Sequence, residues 1–135
     1  MERPVRAGVS VARSDGGAPG WVTAVVILGA LVMVAGALIA VVRPALLLSP
    51  TDEVTGAVRV FAGYLFSRNL ALGVLLIVML RLRAWGALKG LMVLYALVQL
   101  LDAMVDGFEG RWAIAPGVLV LGVLFAVAAT RVRCR

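Results

Sequence analysis

The stretch from Trp21 to Val42 reads WVTAVVILGALVMVAGALIAVV and contains no charged residue. A helix needs about 20 predominantly apolar residues to cross the hydrocarbon core of a bilayer. This stretch meets that length. It exceeds the apolar region of a signal peptide, about 7–15 residues, and no small-residue cleavage site follows it. It therefore reads as a retained membrane helix, and it sets the class of the whole chain.

Three further apolar stretches follow, at about 60–80, 85–105 and 112–130. The second contains Arg68 and Asn69, the third Lys89, Gln99 and Asp102, and the fourth no charge. Trp21, Trp85 and Trp112 each open a stretch, as interfacial anchors do. The expected fold is all-α, an integral membrane four-helix bundle with both termini cytoplasmic. Residues 1–20, rich in Gly, Arg and Ser, read as a flexible cytoplasmic tail, and residues 131–135 as a basic cytoplasmic tail. Ser49-Pro50-Thr51-Asp52 resembles a capping box, which would start the second helix at Pro50, ahead of its apolar part. Short linkers make sequential helices antiparallel neighbours.

The composition agrees. Of 135 residues, 63% are apolar and 15% charged, and the mean hydropathy is +1.07. A soluble domain is nearer half apolar and a quarter charged. The net charge of +6 would suit nucleic acid only if the charges formed one folded surface. They do not. Arg3, Arg6, Arg13, Arg81, Arg83, Lys89, Arg131, Arg133 and Arg135 fall on one side of the predicted membrane. Arg43, Arg59 and Arg111 fall on the other, with Asp52, Glu53, Asp106 and Glu109. The positive-inside rule then places both ends in the cytoplasm. The expected partner is the lipid bilayer, and no nucleic acid is expected.

Several chemistries lack their residues. There is no histidine, and the lone cysteine is Cys134, a tail residue or a palmitoylation site. Histidine-based triads, zinc motifs and internal disulfides are thereby excluded, and no metal or cofactor is expected. There is no glycine-rich phosphate loop.

Small residues recur at helical spacing. Gly29, Met33, Gly36 and Ala40 share a face of the first helix, as do Gly63, Ser67 and Ala71 on the second and Gly122, Ala126 and Ala129 on the fourth. Such faces let helix backbones approach in lipid. They serve packing within the chain or, alternatively, a homodimer face on the first or fourth helix; a homodimer or larger membrane complex is the further partner expected.

One polar constellation stands out. Tyr95, Gln99, Asp102 and Asp106 form a stripe on the third helix, and Tyr64 and Arg68 share a face of the second. Ionisable groups at membrane depth are costly and turn toward a partner or cavity. At 1.5 Å per residue, Arg68 lies roughly 18 Å from the cytoplasmic boundary and Asp102 roughly 26 Å. Side chains lean toward the N-terminus of their own helix, so these two lean toward each other. We expect an Arg68–Asp102 pair that locks the bundle, with Tyr64, Asn69, Gln99 or Tyr95 as further hydrogen-bond partners. The same six residues are the candidate ligand-binding cluster. The alternative for the pair is separation, with Arg68 snorkelling outward and Asp102 at the interface.

The segments Ser67-Arg-Asn-Leu-Ala-Leu-Gly73, Arg83-Ala-Trp-Gly86 and Leu97-Val-Gln-Leu-Leu-Asp102 resemble small four-span bacterial membrane proteins of unknown function, loosely similar to the DoxX-like families. The resemblance covers the second and third helices. It implies Arg68, Asn69, Gly73 and Asp102 as motif positions and the bacterial inner membrane as location, and it implies no activity.

The expected function is that of an accessory, scaffold or partner subunit. A small-molecule or lipid-binding transporter using Asp102 is the alternative. The four-span multidrug exporters it would resemble carry an acid in their first helix, and this first helix has none. Asp102, Asp106 and Glu109 would be the acid and base groups of an enzyme, but acids along one helix end read first as an outer rim.

Overall fold

The computed structural model describes residues 17–48 and 53–133. Among these residues the fold is all-α, with four helices. Helix α1 spans Gly20–Val42, α2 Gly56–Arg81, α3 Trp85–Phe108 and α4 Ala115–Arg131. A short 3-10 turn, Pro44–Leu47, follows α1. Three of the helices, α1, α2 and α3, are long and apolar enough to cross a membrane.

Two helices start differently from the sequence expectation. Glu53, Val54 and Thr55 are not helical, so α2 does not run unbroken from Pro50. Its cap is Thr55, whose Oγ1 accepts a hydrogen bond from the Val58 amide at 3.3 Å. A threonine hydroxyl, like a serine's, satisfies one of the orphan amides of a first turn. The proposed capping box, residues 49–52, lies outside the described residues, as do the first 16 residues and Cys134. At the other site, Trp112 belongs to a turn, and α4 begins three residues later, with Pro116 in its first turn. Proline lacks an amide proton that the first turn would leave unpaired anyway. The 17 residues of α4 rise about 26 Å.

Helices α2 and α3 end in the same way. The Arg83 amide donates to the Leu80 carbonyl and the Ala84 amide to the Met79 carbonyl, a Schellman motif. In α3 the Gly110 amide donates to Gly107 and the Arg111 amide to Asp106, closing the identical pattern. The residue at the turn must be left-handed: Gly110 has φ 69° and Arg83 φ 52°. Glycine accepts that conformation freely and arginine does not. Arg83→Gly is therefore expected to raise stability by about 1 kcal/mol. Thermal unfolding in detergent micelles measures it.

The helices pair as two hairpins, α1 mainly with α2 and α3 mainly with α4. Small residues make each pairing close. A Cβ on Gly122 would sit 3.3 Å from the Ala96 carbonyl oxygen of α3, and one on Gly73 would sit 3.5 Å from that of Ala30 in α1. Between hairpins, a Cβ on Gly29 would collide with the Phe125 ring. Other members of the small-residue faces are free of such contacts: Gly36 and Gly63 face open space, and Ser67, Ala71 and Ala126 are exposed.

The core lies toward one end. Val22 and Val26 open α1, Leu76 closes α2, Leu88, Met92 and Tyr95 open α3, and Phe125, Ala128 and Ala129 close α4. At that end the Arg133 amide donates to the Gly17 carbonyl at 3.1 Å, joining the two ends of the helical unit. The outer surface carries large apolar side chains on all four helices, among them Leu31, Phe61, Leu101 and Val120. Such a surface suits contact with lipid.

Candidate functional site

Toward the opposite end the hairpins separate and leave an open cleft of about 430 Å³. All four helices line it, with Met33 and Gly36 from α1, Leu65 and Asn69 from α2, and Val118 and Leu121 from α4. Helix α3 contributes the whole polar stripe: Tyr95, Gln99, Asp102 and Asp106. The spacing i, i+4, i+7, i+11 keeps these four on one helical face.

Arg68 reaches across from α2. Its Nη2 donates to Asp102 Oδ2 at 3.0 Å, and its Nε donates to Asn69 Oδ1 at 3.4 Å. The two partners of the ion pair are 42% and 39% exposed at their side chains. The pair therefore sits at the mouth of the narrow α2–α3 contact, where it ties one hairpin to the other.

Tyr64 is elsewhere. It is 69% exposed and does not line the cleft. The inward stripe of α2 runs through Ala62, Leu65, Asn69, Gly73 and Leu76, and both Tyr64 and Arg68 lie off it. The long, flexible arginine bridges the difference and reaches Asp102, whereas the Tyr64 side chain stays largely exposed.

Tyr95 is fully buried and stacks on Phe125 with centroids 4.1 Å apart and planes tilted by 44°. Its hydroxyl is buried without a hydrogen-bond partner. Gln99 packs its Cβ at the Gly122 position of α4 and lies one turn from Tyr95 toward the open end of the cleft.

A second ion pair was not foreseen. Asp106 is 8% exposed, the sole buried charged residue among those described. Arg111 Nη1 donates to its Oδ1 at 3.0 Å. The Schellman motif explains this pairing, because it brings the residue after the left-handed glycine back over the last turn. An Asp followed four residues later by Gly and five residues later by Arg or Lys is the sequence signal, carried here by Asp106, Gly110 and Arg111.

Among the described residues no group of three acids, cysteines or histidines converges to hold a metal ion. No protein-family model, curated protein or solved structure matches this chain. The likeness to DoxX-like proteins thus rests on the residues quoted for it alone.

Proposed function

We propose that this is a four-span membrane protein with both ends cytoplasmic, acting as an accessory or partner subunit in which Arg68–Asp102 ties two helical hairpins together. The observation that carries this reading is the charge layout around the helical unit. Arg81, Arg83, Arg131 and Arg133 lie at the end where Gly17 meets Arg133. Glu53, Asp106 and Glu109 lie at the other end and offset Arg43, Arg59 and Arg111 there. Cytoplasmic ends carry the basic excess. Helix α4, although shorter, matches a bilayer once the turn before it and modest local thinning are counted.

Cysteine labelling tests the orientation. In a Cys134→Ser background, Leu46→Cys and Glu109→Cys should react with an impermeant maleimide on intact cells. Leu82→Cys should react only after permeabilisation. Labelling of Leu82→Cys from outside would reverse or break the proposed topology.

The partner role is supported by the outer face of α2. Gly63, Ser67 and Ala71 are presented there with open space over Gly63, and the Ser67 hydroxyl is turned back to the Gly63 carbonyl at 3.0 Å. A face of this kind admits another helix closely. Native electrophoresis after mild extraction should show a complex larger than one chain, and Gly63→Leu should dissolve it.

A further inference from the structure

We propose that the cleft between the hairpins binds one uncharged, hydroxyl-bearing amphiphile, with its hydroxyl between Tyr95 and Gln99 and its apolar body against Met33, Val118 and Leu121. Four observations lead there. The cleft, at about 430 Å³, falls in the range of small-molecule sites, roughly 300–1,000 Å³. One wall is polar along α3 and the facing walls from α1 and α4 are apolar, so the occupant must be two-sided.

The charges are already matched. Asp102 is held by Arg68 and Asp106 by Arg111, each at 3.0 Å. A charged ligand would have to displace one of these partners, whereas an uncharged one would not.

The Tyr95 hydroxyl supplies the anchor. It is buried at the closed end of the polar stripe with no partner. Buried hydroxyls are nearly always hydrogen-bonded, because leaving one unpaired costs its desolvation. Tyr95 lies ten residues into α3, about 15 Å from its start, at a depth where lipid supplies no hydrogen bonds. The phenol is sealed, so the side chains over it must part before a ligand hydroxyl accepts from it and donates to the Gln99 carboxamide. The site does not depend on which side of the membrane the cleft faces.

The test uses azioctanol, an octanol carrying a photoreactive diazirine, with the full chain in phosphatidylcholine nanodiscs. Labelling should saturate and concentrate on peptides bearing Met33, Val118 and Leu121. Octanol should compete, and octanoate and octylammonium should compete at least tenfold more weakly. Gly36→Leu fills the cleft from a position whose Cβ meets nothing within 4 Å, so it should fold and lose the saturable labelling. Gly90→Leu, equally open but outside the cleft, should keep it. Tyr95→Phe should weaken binding about fivefold, the value of one neutral hydrogen bond. Labelling that rises linearly and falls equally on outward residues such as Leu31 and Val120 would overturn the proposal. So would equal competition by the charged amphiphiles, or unchanged affinity in Tyr95→Phe.

Discussion

Arg68→Leu is expected to lower the stability of the folded bundle by about 2 kcal/mol, and Asp102→Leu by a similar amount. Either change leaves one charge without its partner at 3.0 Å. In water a half-exposed pair would contribute no more than about 1 kcal/mol. Here the surroundings are the apolar flanks of α2 and α3, where Phe61, Leu101 and Val105 face outward. An uncompensated charge at the bilayer centre costs roughly 2.5–3.5 kcal/mol on insertion scales, and less toward the interface. On the proposed four-span topology both residues lie between these limits. Arg68→Leu combined with Asp102→Leu should recover most of the loss, because two apolar groups leave nothing unpaired. Unfolding midpoints of the three variants in mixed micelles give the comparison.

Gly29→Leu is expected to cost about 3 kcal/mol or more, and Gly29→Ala about 1–3 kcal/mol. The Phe125 ring occupies the space a Cβ would need, and it cannot retreat, because its other neighbour is the buried Tyr95 ring at 4.1 Å. Overpacking therefore pushes the two hairpins apart at the closed end of the bundle. Shortening the obstacle with Phe125→Leu should rescue much of the Gly29→Ala loss while costing stability alone. Gly36→Ala is the internal contrast. It shares the helical face with Gly29, yet its Cβ meets nothing within 4 Å, and it should be neutral or slightly stabilising through helix propensity. The same unfolding assay separates the two glycines.

That contrast shows where sequence reading stops. Helical spacing put Gly29 and Gly36 on one face, and only the tertiary arrangement assigns one to Phe125 and the other to the cleft. Helix positions were legible in part from the apolar lengths: α1 matches its expected bounds within a residue, whereas α4 begins three residues after Trp112. The start of α2 was not legible. Several polar residues precede it, and each could cap a helix by the same chemistry. The α3 stripe was legible from its spacing alone, and the depth estimate brought Arg68 to Asp102 through the opposite lean of antiparallel helices. Tyr64 shared that spacing argument and stands outside the cleft, because a shared helical face does not fix how far a side chain reaches. The Asp106–Arg111 pair depends on the left-handed Gly110 turn, a local backbone feature that charge counting treats as two unrelated surface residues.

The tie between hairpins is tested most directly by exchanging its charges. Arg68→Asp and Asp102→Arg should each lower the yield of folded protein, since each sets like charges face to face. The double exchange should restore a substantial part of it. A double exchange no better folded than the worse single variant would contradict the pairing, and with it the role assigned to Arg68 and Asp102.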